Sequence, residues 1–317
     1  MDVGRVVVVG ATNVDLISYV PRLPAPGETL HGTSFRIGHG GKGANQAVMA
    51  SRLGSSVALV TKLGMDVFGD GALENLRAHG VDTAHVHRTG EASTGVAPIA
   101  VDGSGTNAII IVTGANDLLT LDELEAARAT IAAASVVVCQ LEIPLGLTQR
   151  ALRIAREEGV PTILNPAPAR AALPDELYAL ADVICPNEPE TELLTGGSVT
   201  DLVAAEAQAR ILRERGAGAV VLTLGERGCL VVDEDATHLP ADVVAAVDTT
   251  GAGDAFVGSL AHFLALGADL RDAAARAGRV AAISVTAKGT QTSFPAAATL
   301  PPDLLVPRPR ERGGAPG

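Results

Sequence analysis

The sequence predicts an α/β protein: a mostly parallel sheet with helices on both faces, plus a small β-sheet lid. Three observations lead there. Arg5 to Gly10 contains four consecutive valines, the mark of a strand buried on both faces. Strand and helix patterns then alternate along most of the chain, as expected of a covered parallel sheet. Two hairpin patterns interrupt that order, and such insertions at one end of an α/β sheet predict a lid over a site.

Composition sets the bounds. A chain of 317 residues suits one large domain, expected over 1–300 with lid segments at about 14–38 and 94–113. A flexible tail rich in Pro, Arg and Gly is expected over 301–317. The formal net charge of −12 argues against nucleic acid or an anionic membrane as partner, so any phosphate must be held by local geometry. Aromatics are 2% and Trp is absent, which disfavours stacking on single-stranded bases. Cys139, Cys185 and Cys229 form no CxxC and suit a reducing cytoplasm. The N-terminus has no signal-like apolar region, and the longest apolar stretch, Ala255 to Ala268, is too short to span a membrane.

The first strand ends in Ala11-Thr12-Asn13-Val14-Asp15. Ligands of open α/β sheets sit at the carboxyl ends of strands, which makes Asn13 and Asp15 candidates; turn chemistry explains them equally well. Leu16 to Val20 and Thr33 to Ile37 read as the first lid hairpin, and Gly95 to Val101 with Ala108 to Val112 as the second. An apolar outer lid face of Val96, Ile109 and Ile111 is expected, and with it a homodimer through the lids. Between the hairpins, Gly38 to Gly43 formally matches GxGxxG. The match follows a lid strand rather than the first buried strand, so a dinucleotide reading is weak. The better reading is a polyol approaching backbone, with Lys42 and Asn45 as donors at the start of a helix from Ala44 to Leu53.

Further along, Ser56 to Lys62 reads as a strand, Gly69 to His79 as a helix, and Thr120 with Glu123 as a capping box opening a helix to about Ala134. Ser135 to Leu141 is a buried strand with Glu142 at its carboxyl end. Leu147 to Glu158 is a helix, Val160 to Leu164 a strand, and Asp182 to Cys185 a strand ending at Asn187 and Glu190. That i, i+3 pair shares one side of a helix start and serves either as a cap or as a phosphate and metal-water site. Asp201 to Arg215 is a helix, and Ala219 to Leu224 a strand before the glycine turn Gly225-Glu226-Arg227-Gly228. Cys229 to Asp233 and Val243 to Val247 lead to a turn at 247–254 and a helix from Ala255 to Leu266; Arg271 to Ala287 is the last strong helix.

The turn Asp248-Thr249-Thr250-Gly251-Ala252-Gly253-Asp254 carries the chemistry. Three small residues let a ligand approach a helix start, whose free N–H groups and dipole favour an anion. Asp254 is either a simple cap or a base accepting a proton from a nucleophile that attacks a bound phosphate. An anion hole beside a base suggests phosphoryl transfer.

The motifs together resemble the ribokinase branch of the PfkB carbohydrate kinases, from about Arg5 to Pro295. The carriers are Pro26-Gly27-Glu28-Thr29, GGKGANQAV at 40–48, Ser93-Thr94-Gly95-Val96, NPAPAR at 165–170, PNEPE at 186–190, TLGERG at 223–228, VDTTGAGDAF at 247–256 and KGTQTSFP at 288–295. The resemblance implies phosphorylation of the ribose 5-hydroxyl by ATP, with Asp254 as base and Gly251, Ala252 and Gly253 as anion hole. It implies that Asn13, Asp15, Gly41, Lys42, Asn45 and Glu142 bind the sugar. Asn187 and Thr223, Leu224, Gly225, Glu226, Arg227 and Gly228 would line the ATP site, and Glu190 would place Mg²⁺ through water. A K⁺ ion would take oxygens of Asp248, Thr250, Ser284, Ala287, Gly289 and Ser293. Gly278, where relatives often carry a larger residue near the adenine, and His39 beside the glycine loop depart from the pattern. Alternatives are a kinase for 2-deoxyribose or fructose and a non-catalytic sugar-binding regulator.

Overall fold

The computed structural model describes residues 4–306. In chain order its strands are β1 (Arg5–Val9), β2 (Asn13–Tyr19), β3 (Ser34–Gly40), β4 (Ser56–Gly64), β5 (Val86–Thr89), β6 (Gly95–Val101) and β7 (Asn107–Ile109). They continue with β8 (Val136–Cys139), β9 (Thr162–Leu164), β10 (Val183–Ile184), β11 (Ala219–Thr223), β12 (Cys229–Val232) and β13 (Ala236–Leu239).

Nine strands form the main sheet in the order β13-β12-β11-β10-β9-β8-β1-β4-β5. It is parallel from β5 to β11 and antiparallel across β11, β12 and β13. The change follows from connection length: β11 and β12 are joined by the short turn 224–228, which only antiparallel neighbours allow. The strand beside β12 is Ala236–Leu239. Val243 to Val247 is instead irregular, with Val243 fully exposed.

β1 shows why the fold is covered on both sides. Val6 and Val8 pack into one core with Met49, Leu260, Phe263 and Val280, while Val7 and Val9 pack into the other with Leu124, Leu152, Leu177 and Leu212. All four valines are 0% exposed. Alternation along the strand feeds both layers, and each fully buried Val contributes roughly 1.5–3 kcal/mol.

The second sheet has the order β3-β2-β6-β7, with β2 parallel to β6 and the outer pairs antiparallel. It grows directly from the carboxyl end of β1, so it stands over the ligand end of the main sheet. Phe35 and Ile37 are each 58% exposed and Ile109 and Ile111 each 53%, but the register splits them: Ile37 pairs with Leu16 on the Val14 side, whereas Ile109 of the expected outer face pairs with Ile99, beside Ile17, on the side that lines a cleft. Val96 does not share the Ile109 side. Val96 pairs in register with Val14 and packs inward near Leu63 and Ala72.

Helix bounds shift by a few residues, and the helix after the Thr120 capping box breaks at Ala127 into Leu121–Ala126 and Arg128–Ala132. The first residues of the expected tail are packed. Pro302–Leu305 is a helical turn that buries Leu304, and Arg276 Nη1 donates to the carbonyls of Asp303 and Leu304 at 2.7 Å each. Residues 307–317 of the expected tail lie outside the described residues.

Two helices, Lys42–Arg52 and Ala252–Ala265, approach each other through small residues. A Cβ on Gly258 would lie 2.6 Å from the Gln46 carbonyl and 2.8 Å from Met49 Cβ. A Cβ on Gly43 would lie 2.7 Å from the Gly10 backbone. Gly146, by contrast, meets nothing within 4 Å. Gly258→Ala should therefore destabilise by about 1–3 kcal/mol in denaturant unfolding through overpacking. Gly146→Ala should leave stability unchanged or raise it by up to about 1 kcal/mol.

Candidate active site

Asp254 sits in the first turn of the Ala252–Ala265 helix and is 7% exposed. Gly251 caps that helix in the left-handed region (φ 80°), where a Cβ would also lie 2.6 Å from Thr290 Cγ2. The amides of Gly251 and Gly253 have no protein acceptor among the described residues, whereas Ala252 N–H donates to the Thr249 carbonyl at 3.2 Å. The expected three-amide anion hole is therefore open at two amides. Space above it is clear, since a Cβ on Gly253 would meet nothing within 4 Å.

Both carboxylate oxygens of Asp254 are engaged. Asn45 Nδ2 donates to Oδ2 at 2.8 Å, and Gln46 Nε2 donates to Oδ1 at 3.0 Å. Gln46 Nε2 also donates to Asn165 Oδ1 at 3.0 Å, and Gln140 Nε2 donates to Gln46 Oε1 at 2.6 Å. On the other side Gln291 Nε2 donates to Asn45 Oδ1 at 2.9 Å.

The expected sugar residues converge around this carboxylate. Lys42 N–H donates to Glu142 Oε2 at 2.8 Å, so Glu142 supplies from another segment the cap that Gly41 (φ 86°) cannot give its helix. Asn13 Oδ1 accepts from Asn116 Nδ2 at 2.8 Å. Burial, and then the charge of Asp254, push the Asp15 carboxyl up to about 6. Burial also raises Glu142 and Glu190, partly offset by N–H donors and by Lys42. The Asp254 charge raises Lys42 against its own burial, with help from Glu142 and Glu190. A cationic side chain thus sits among three acids, Asp254, Glu142 and Glu190.

Among the residues expected to line a nucleotide, Asn187 and Glu190 form a capping box: Asn187 Oδ1 accepts from Glu190 N–H at 2.8 Å, and Glu190 Oε2 from Asn187 N–H at 2.9 Å. The cap reading of this pair is realised, yet Glu190 is also 7% exposed and within electrostatic reach of Lys42 and Asp254. The turn after Thr223 presents exposed Gly225 and Glu226, while Leu224 is buried and offers only backbone. Arg227 pairs with Glu188. A Cβ on Gly278 would have a single neighbour, Phe256 Cε2 at 3.9 Å, so that surface is open.

The two loops expected to hold a monovalent cation are tied together by Asp248. Its Oδ1 accepts from Thr250 N–H at 3.0 Å and its Oδ2 from Gly289 N–H at 2.9 Å. Burial raises this carboxyl, but the Gly289 and Thr250 donors outweigh that and hold it low. The Ser284 carbonyl accepts from Ala287 N–H at 3.4 Å, and Ser293 Oγ donates to the Thr290 carbonyl at 2.9 Å. Carboxylate, carbonyl and hydroxyl oxygens make a hard donor set suited to such an ion.

A cleft of about 1000 Å³ runs between the lid and these loops, lined by Asp15, Gly38, His39, Thr250 and Gln291 among others. Asp254 is not in its wall; nor are Asn45 and Gln46, which donate to its carboxylate, whereas Gln291, which donates to Asn45, is. His39 is half-buried in this cleft, its Nδ1 unpartnered, with no hydrogen bond to Asp254. Sequence reasoning gave no role to Gln46, Asn75, Asn116, Gln140, Asn165 or Gln291. The usable signal was position: Asn165 ends a buried strand as Asn13 follows one, and Gln46 adjoins Asn45.

Comparison with known proteins agrees with this geometry. The profile described as pfkB family carbohydrate kinase matches residues 3–297. A ribokinase of Mus musculus is 46% identical over 305 residues, 95% of this chain and 94% of its own. A deoxyribokinase of Salmonella typhi is 41% identical over 291 residues, 92% of this chain and 95% of its own. The solved structure of Arabidopsis thaliana ribokinase complexed with ribose and ATP aligns with a TM-score of 0.88 at 30% identity, over 96% of this chain and 99% of its own. With the motif matched along almost its whole length and an oriented carboxylate beside an open helix start, the chain belongs to the pfkB family of carbohydrate kinases.

Proposed function

We propose that this protein transfers the γ-phosphoryl group of ATP to the 5-hydroxyl of D-ribose, giving D-ribose 5-phosphate and ADP. The observation that carries the reading is Asp254, buried beside open main-chain amides and held by two side-chain amides. Ribose is favoured because the mouse relative named ribokinase is more similar than the Salmonella deoxyribokinase, and because the Arabidopsis structure is titled with ribose and ATP.

In this reading Asn13, Asp15, Gly41, Lys42, Asn45 and Glu142 hold the sugar hydroxyls and turn the 5-hydroxyl toward Asp254. Asp254 takes the hydroxyl proton as the oxygen attacks the γ-phosphorus and the bond to the bridging oxygen of ADP breaks. Gly251 and Gly253 N–H groups, with the helix dipole, stabilise charge on the transferring group. Ala252 joins them only if its bond to Thr249 opens. Asn187 and residues 223–228 line the nucleotide. Mg²⁺, placed by Glu190 through water, would neutralise the phosphates. K⁺, held by oxygens of Asp248, Thr250, Ser284, Ala287, Gly289 and Ser293, would stiffen the turn leading into the anion hole. The exposed Ile109 and Ile111 of the lid are proposed to pair two lids in a homodimer. Three buried free cysteines suit a cytoplasmic enzyme.

A coupled assay with ATP, Mg²⁺ and a sugar tests this directly. Turnover with ribose should exceed that with 2-deoxyribose or fructose and fall when K⁺ is withdrawn. Asp254→Asn should cut turnover by about 10²–10⁴-fold while ribose binding persists. Ribose binding without ATP consumption would mark a sugar-binding regulator instead.

Asp15 gives a pH prediction. Its folded-state value of about 6 lies above the ordinary 3.8, so its contribution to stability is full below about pH 4 and is lost as pH rises through 6. Asp15→Asn should raise the melting temperature at pH 8 by about 2–4 °C, with the gain vanishing toward pH 4. The same variant should bind ribose more weakly at pH 8. Equal melting shifts at both pH values would contradict the burial argument.

A further inference from the structure

Asn45 is one of two residues that donate to Asp254, and an amide side chain can rotate by half a turn with no change of shape. Reversed, Asn45 would aim its carbonyl oxygen at the carboxylate, and both would be acceptors. Something must fix its orientation. The structure supplies it in a chain of three amides. Asn75 Nδ2 donates to Gln291 Oε1 at 2.8 Å, Gln291 Nε2 donates to Asn45 Oδ1 at 2.9 Å, and Asn45 Nδ2 donates to Asp254 Oδ2 at 2.8 Å. Every donor points the same way, toward the carboxylate. Gln291 is 5% exposed and Asn45 is 5% exposed, so water cannot readily take over either bond.

We propose that Gln291, itself oriented by Asn75, is a positioning residue for phosphoryl transfer: it fixes the Asn45 amide so that its N–H faces the base. Gln291 touches neither reacting atom; it acts through Asn45. The relay joins the 288–293 loop and the Val67–Ala78 helix to Asp254, segments brought together only by the fold. This inference rests on reading Asp254 as the base.

The test compares Gln291→Glu with Gln291→Ala. Glutamate keeps the size and still accepts from Asn75, but its carboxylate cannot donate to Asn45 Oδ1 and would draw the Asn45 amide around. If the side chain only fills space, glutamate should be the milder change. If it orients Asn45, glutamate should be the harsher one: kcat at saturating ribose and ATP should fall about tenfold to a hundredfold for Gln291→Glu and less for Gln291→Ala. Asn75→Ala, which frees Gln291 to rotate, should lower kcat several-fold with the melting temperature nearly unchanged, and it serves should Gln291→Glu fail to fold. Gln291→Glu as active as the native protein, or more active than Gln291→Ala, would overturn the proposal, as would unchanged kcat in Asn75→Ala. Asp254→Asn run alongside separates the two levels. If it abolishes turnover while the Gln291 and Asn75 variants stay native-like, only the relay fails; if it retains turnover, the base assignment fails and takes the relay with it.

Discussion

A carboxylate taken out of water is costly unless each of its oxygens finds a donor. Asp254 is almost fully buried, and the fold answers that demand with Asn45 on one oxygen and Gln46 on the other. These two donors come from a helix that touches the Asp254 helix only because Gly258 lets them close to contact distance. Gly43 lets the same helix press onto the end of β1. Widening either contact would part donors from acceptor. Backbone approach, amide orientation and the ionised base are thus one arrangement rather than three.

The surrounding charges follow the same economy. The Asp254 charge bears on Asp15, Glu142 and Glu190, and Lys42 is the cation that Asp254, Glu142 and Glu190 share. Such a site holds polyol hydroxyls well, because carboxylates accept and Lys42 donates. It is hostile to a triphosphate unless main-chain amides and added cations offset the acids. The two open amides at Gly251 and Gly253 meet part of that need. Burial, with the Asp254 charge behind it, leaves Asp15 poised to take up a proton near pH 6.

Much of this was legible in the chain. The four valines of β1 announced a strand buried on both faces, and the glycine-led turn at 251–253 announced a helix start that the structure leaves open at two amides. The lid hairpins were readable as interruptions of the alternation. What escaped had physical reasons. Val96 was assigned to the outer lid face because a strand's pattern does not say which face its register will bury; pairing with Val14 decides it. β13 was missed because an edge strand needs less hydrophobic patterning than the valine-rich segment nearby that stays irregular. Leu304 extended the ordered body past Pro301 through a single buried side chain. Gln291, Asn75 and Gln140 were unreadable because an amide reveals its task only through a partner distant in sequence, as Gln291 does with Asn45.

The most direct measurement is a crystal structure with D-ribose and a non-hydrolysable ATP analogue. The account predicts the ribose 5-hydroxyl within about 3 Å of an Asp254 oxygen and the γ-phosphate on the amides of Gly251 and Gly253. A sugar seated away from Asp254, or those amides closed off by the protein's own carbonyls, would contradict it.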